Sequence, residues 1–213
     1  MVRAFILGLA IIGVFALPGQ AATKAPTGKA VIPASDLIIL GNPKAKVRMD
    51  EYASLSCPHC AQFNNEIFPA FKAKYIDTGK VAYVFHEFIT PPEQVAVAGF
   101  MLARCVPPSK YYAVVDDLFR RQAKIYETQD LKGPLMEAGK AAGLNEAAVG
   151  ACLQNEKALN ALYDRVQANV DAGIQSTPTF FFNGVKVKEG EMTLQELDAA
   201  YNAALRPAAK SAK

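Results

Sequence analysis

Glu51-Tyr52-Ala53-Ser54-Leu55-Ser56-Cys57-Pro58-His59-Cys60, followed by Ala61-Gln62-Phe63, is the stretch whose reading decides the fold. Upstream, Val47 to Tyr52 reads as a strand. Downstream, Phe63, Ile67 and Phe71 recur at four-residue spacing, with Phe68 and Tyr75 on a neighbouring face, which is the period of an amphipathic helix. Pro69 is expected to kink that helix and Gly79 to stop it. Val81 to Phe88, rich in Val, Tyr and Phe, reads as a second strand. Strand, helix, strand is the order of a βαβ unit, and the two cysteines fall at its first seam.

That seam has chemical consequences. The first turn of a helix carries unpaired N–H groups and the positive end of the helix dipole. A thiolate at Cys57 receives both, so its pKa is expected to fall below the free value. His59, when protonated, is expected to lie close to the same sulfur. A stabilised thiolate favours the reduced pair, which makes the disulfide oxidising and Cys57 a good leaving group. Cys60, one turn in and more shielded, is expected to resolve mixed disulfides. Pro58 suits a first helical turn, where its missing N–H costs nothing. Two other readings stand beside this one. A zinc site needs four ligands, and Cys57, Cys60, Cys105 and Cys152 supply that number, although the second pair lacks the CxxC spacing. A purely structural disulfide within CxxC closes a strained ring.

Further along, the pattern turns wholly helical from about Glu93 to Ala172. Val95 to Cys105 is one apolar helix, closed by Pro107-Pro108, and Tyr111 to Ile125 is a second. Asp130 is expected to cap a third running to Ala142, and Asn145 a fourth through Leu153. Lys157 to Ala172 forms a fifth, stopped by Gly173. Strands then return. Thr179 to Phe182, Asn183-Gly184 and Val185 to Lys188 spell a hairpin with a two-residue turn. Thr193-Leu194-Gln195-Glu196 matches a capping box, with a last helix through Leu205.

At the N-terminus, Arg3 precedes an apolar run from Ala4 to Leu17, Pro18 breaks it, and Gly19-Gln20-Ala21 offers small residues for a signal peptidase. The run is short of the roughly 20 residues of a membrane span, so cleavage after Ala21 is expected, with a soluble product outside the cytosol. The expected organisation is a signal peptide over 1–21, a leader over 22–35, a first α/β part over 36–92, a helical insertion over 93–172, a second α/β part over 173–206 and a tail over 207–213. With 213 residues, 51% of them hydrophobic, the chain can bury a core without staples. Its net charge of +3 is spread without a basic stripe, so nucleic-acid binding is not expected.

The segment from Glu51 to Phe63 resembles the active-site segment of the DsbA family of periplasmic disulfide oxidases, in the thioredoxin superfamily. Ser176-Thr177-Pro178-Thr179-Phe180, with Asn183-Gly184 after it, is similar to that family's cis-proline loop and hairpin. The resemblance spans about residues 36 to 205. It implies an α/β, thioredoxin-like fold with an inserted α-helical domain. It implies Cys57 as the substrate-exposed nucleophile, Cys60 as the resolving thiol and His59 as a tuner of the potential. Thr177 and Pro178 would face an extended substrate, and Glu51 would be a buried acid relaying protons; by itself Glu51 also reads as a solvent-facing strand residue.

The chemistry so implied introduces disulfides into reduced, unfolded exported proteins without a bound cofactor. A membrane quinone-linked partner resembling DsbB would reoxidise the pair, and a monomer is expected. Two positions depart from the family pattern. Asn64 stands where some members carry an acid, and Thr177 stands where the best-known oxidases carry Val. Thr at that position belongs to isomerase and reductase branches, so those activities remain alternatives, as does a non-enzymatic chaperone or binding module. Cys105 and Cys152, both on predicted helices, read as a structural disulfide worth about 4 kcal/mol in the chain-entropy model. A redox-active second pair and two separate thiols are the other readings. His86, within an apolar strand, reads as a hydrogen-bonded core residue, and Phe180-Phe181-Phe182 as core.

Overall fold

Alternation along β2 (Val47–Ala53) decides how the sheet is covered. Val47, Met49, Glu51 and Ala53 point to one side and are all buried. Arg48, Asp50 and Tyr52 point to the other. β3 (Val81–Glu87) runs parallel to β2 with Glu51 opposite Phe85, and β4 (Thr179–Phe182) runs antiparallel with Glu51 opposite Phe180. β5 (Val185–Glu189) completes the hairpin, and a three-residue β1 (Ile39–Gly41), absent from the sequence reading, lies antiparallel to β3. The sheet order is β1-β3-β2-β4-β5. The computed structural model describes residues 36–206; the expected signal peptide, leader and tail lie outside the described residues.

The helix after β2 is not a single kinked rod. α1 (Pro58–Gln62) passes into a π-helical turn at Phe63–Ile67, then α2 (Phe68–Phe71), then a second π turn at Lys72–Ile76. The Phe68 N–H bonds to the Phe63 carbonyl five residues back, and Pro69 sits in the first turn of α2. The missing proline N–H is thus absorbed by a π turn, a known way of accommodating a break in the ladder. This helix buries Phe63 against Phe180 at 4.7 Å and Phe68 against Tyr83 at 4.7 Å.

Five helices follow β3: α3 (Glu93–Cys105), α4 (Pro108–Thr128), α5 (Lys132–Ala141), α6 (Glu146–Leu153) and α7 (Glu156–Asp171). Asn145 and Asn155 cap α6 and α7 by accepting backbone N–H groups three residues on. The Asp130 carboxylate accepts from the Gly133 N–H at 2.9 Å, although the helix itself begins at Lys132. Cys105 at the end of α3 and Cys152 in α6 are joined by a disulfide with Cα atoms 5.8 Å apart.

Glu87 anchors the block to the sheet. Its carboxylate accepts from Arg104 of α3 at 2.6 Å, Arg165 of α7 at 2.7 Å and Tyr111 of α4 at 3.1 Å. After the block the chain returns through the β4–β5 hairpin, where Asn183 (φ 49°) and Gly184 (φ 77°) both take the positive φ that the Asn-Gly pair favours. α8 (Leu194–Ala204) closes the fold on a capping box between Thr193 and Glu196.

Candidate active site

Cys57 occupies the N-cap of α1 in extended conformation, with Pro58 in the first turn. Its sulfur therefore accepts the Cys60 N–H at 3.3 Å, in the manner of any N-cap side chain. Both cysteines are free thiols, Cys57 only 6% exposed and Cys60 fully buried. The Cys60 thiol donates to Cys57, and with hydrogen bonds from the Thr177 side chain and the Cys60 and His59 backbone it outweighs burial and holds the Cys57 pKa down to about 6. Burial and the neighbouring Cys57 charge push the Cys60 thiol well above its ordinary value. The pair is thereby split into one thiol of lowered pKa and one of raised pKa.

The loop that presents Cys57 is held from α4. Gln122 Nε2 donates to the carbonyls of Leu55 (2.8 Å) and Cys57 (3.1 Å), and the Tyr126 hydroxyl donates to that of Ser56 at 2.5 Å. Ser54 and Ser56 share a hydroxyl contact at 2.9 Å, and Ser56 meets Thr90 beyond β3. Opposite the thiols, the Thr177–Pro178 bond is cis and the Thr177 carbonyl lies 3.5 Å from Cys57 Sγ. The Gly190 N–H donates to the Pro178 carbonyl at 2.8 Å.

Glu51 faces this site from beneath, 2% exposed. Burial raises its pKa to about 8; the Tyr83 hydroxyl, donating at 2.6 Å, offsets part of that rise, and the Cys57 charge adds to it. Tyr83 also borders a cavity of about 500 Å³ lined by Asn64, Phe68, Tyr112 and Asp116. Asn64 Nδ2 donates to Asp116 Oδ1 at 3.0 Å, so a carboxylate from α4 stands beside the position where an acid was missing. The His59 ring turns outward to Glu191, Nδ1 to Oε1 2.5 Å, while its backbone N–H serves the sulfur.

His86 lies away from the thiols, paired with Asp50 at 2.6 Å and stacked on Tyr52. Its Nδ1 is buried without a hydrogen-bond partner among the described residues. Cys105 and Cys152 are occupied by their own disulfide and bring no thiolate to Cys57 and Cys60. Tyr83, Gln122, Tyr126 and Glu191 had no signal in the sequence, because each reaches the site from a distant part of the chain.

A family model described as Thioredoxin matches residues 34–203. The crystal structure of alpha-DsbA1 from Wolbachia pipientis superposes with a TM-score of 0.71 at 30% identity, covering 82% of this chain and 96% of that one. A Rickettsia conorii relative, provisionally named protein-disulfide oxidoreductase, is 33% identical over 83% of this chain and 63% of its own length. The chain thus spans less than two thirds of the curated relative that it matches. Disulfide bond formation protein D of Bacillus subtilis is 24% identical, covering 70% of this chain and 69% of that protein.

Proposed function

This chain belongs to the DsbA family of the thioredoxin superfamily, and from that premise we propose that it is a protein thiol–disulfide oxidoreductase acting as a disulfide donor. The observation that carries the proposal is the N-cap placement of Cys57, whose sulfur accepts the Cys60 N–H at 3.3 Å beside a buried Cys60, with its pKa held down to about 6. A substrate thiolate attacks Cys57 Sγ of the oxidised pair. The Cys57–Cys60 bond breaks and Cys60 leaves with the electron pair. A proton reaches Cys60 from Glu51, whose pKa of about 8 lets it carry one near neutral pH. The substrate's second thiolate then attacks the substrate sulfur of the mixed disulfide and releases Cys57. Cys57 leaves readily because its thiolate is stabilised.

Two electrons have passed to the enzyme, and the substrate leaves with a disulfide. A quinone-linked membrane partner resembling DsbB takes the electrons on. The substrates are reduced, extended exported proteins, met in the periplasm by a monomer that aligns them along Thr177 and Pro178. Among the described residues no helix is long and apolar enough to cross a membrane.

Thr177, standing before the cis proline where Thr marks the isomerase and reductase branches, supports those activities as a second reading, although its hydrogen bond to Cys57 by itself pushes toward an oxidising pair. The test of thiol chemistry itself is Cys57→Ser. This variant is expected to lose all oxidation of a reduced dithiol peptide; retained turnover would leave the CPHC segment a structural feature of a binding module.

A further inference from the structure

Glu191 lies in the short connection between β5 and α8, 132 residues from His59 in sequence, and yet its carboxylate meets the imidazole at 2.5 Å. The segment carrying it is anchored. The Gly190 N–H is bonded to the carbonyl of Pro178, and the capping box begins two residues beyond Glu191 at Thr193. Glu191 is therefore held by backbone on the substrate side of the thiol pair, its side chain one-third exposed. The imidazole that it holds belongs to the first turn of α1, where a positively charged ring turned toward Cys57 would favour the thiolate. In the structure the ring is turned to the carboxylate, and only the His59 backbone N–H serves the sulfur.

We propose that Glu191 is a positioning residue for the thiol chemistry: it holds the His59 ring toward the β5–α8 connection and so limits the support that the ring gives to the Cys57 thiolate. Two effects of the carboxylate then act in one direction. Its own negative charge disfavours a second negative charge on Cys57, and it withdraws the ring that would favour one. Removing it should leave the thiolate better stabilised and the disulfide more oxidising. The inference rests on the thiol–disulfide reading of the site.

The experiment is a double-mutant cycle on the full chain, with Glu191→Ala and His59→Ser singly and together. Each protein is equilibrated with glutathione buffers, in which two glutathione thiols reduce the Cys57–Cys60 disulfide and leave as glutathione disulfide. The readouts are the fraction of protein reduced and the thiolate's ultraviolet absorbance against pH. Glu191→Ala is expected to shift the equilibrium toward reduced protein by about threefold, the scale on which exposed charge pairs act, and to lower the Cys57 titration midpoint. In the His59→Ser background the shift should shrink to the smaller part due to the carboxylate's own charge. An equal shift in both backgrounds would make Glu191 a remote charge, and no shift, or one toward the disulfide, would make the contact incidental; each overturns the proposal. The outcome does not depend on the absolute potential, so a pair that proves weakly oxidising would sink the disulfide-donor reading and leave the coupling between Glu191 and His59 still measurable.

Discussion

Glu51 on β2 and Glu87 on β3 stand on neighbouring strands, each 2% exposed, with very different company. The Glu87 carboxylate meets two guanidinium groups and a phenol, and the Asn169 side chain takes its backbone carbonyl. The Glu51 carboxylate has the Tyr83 hydroxyl, and burial drives its pKa to about 8. A buried carboxylate with matched cations is a fastening between elements. One given only a hydrogen bond is left able to gain and lose a proton near neutral pH. The same side chain is a fastening in one place and, in the proposed mechanism, a proton carrier in the other, and the difference lies in what the helices bring to it.

The largest expected effect belongs to the fastening. Glu87→Ala takes the shared carboxylate from Arg104 and Arg165, leaving Arg104 the Asp36 carbonyl, and should cost about 4 kcal/mol in denaturant unfolding. The Cys57 titration should stay where it was; a moved titration would mean that the two carboxylates are not separate devices. The disulfide between Cys105 and Cys152 ties the same block covalently across 47 residues. Cys105→Ser with Cys152→Ser is expected to cost up to about 4 kcal/mol in the chain-entropy model. An accompanying shift in the glutathione equilibrium would identify that pair as a tuner of Cys57.

Glu51→Gln sharpens the other side of the comparison. A group whose pKa is raised in the folded state stabilises the fold fully below its unfolded value, here 4.5, and that contribution is lost as pH rises through about 8. Relative to Glu51→Gln, the wild type should therefore lose stability at up to about 1.4 kcal/mol per pH unit across that window. The variant should also slow the steps in which Cys60 takes up or gives up a proton; an unchanged pH profile would contradict the relay. The smallest effect is expected from Tyr83→Phe. Its hydroxyl lowers the Glu51 pKa, so its loss should move the carboxyl titration upward, with infrared carboxyl bands as the readout.

Much of this was legible in the chain because it is local. The N-cap cysteine pair, the Asn183-Gly184 turn and the Thr193–Glu196 capping box are each written within a few residues, and each takes in the structure the form that its spacing dictates. Pro69 was legible as an interruption, but whether a helix kinks or opens a π turn depends on packing of Phe63 and Phe68 against the sheet. β1 was too short to carry a period. The supports of the site were illegible for a different reason. Gln122 and Tyr126 bond to carbonyls 65 to 70 residues earlier, and Glu191 to a ring 132 residues earlier. Such contacts follow from the docking of the helical block and the hairpin onto the βαβ unit, which no local pattern encodes. The Asn64 position teaches the same lesson, since the neighbouring carboxylate comes from Asp116, 52 residues away.

The central claim is that hydrogen bonding around Cys57, outweighing its burial, makes the Cys57–Cys60 disulfide a donor. The most direct test is the reduction potential of the pair, read from its equilibrium with reduced and oxidised glutathione. The structure predicts a value clearly more oxidising than the glutathione couple, because the Cys57 thiolate is stabilised in the reduced form. A value near that of thioredoxin would contradict the claim and assign the chain to electron donation, as a reductase or isomerase.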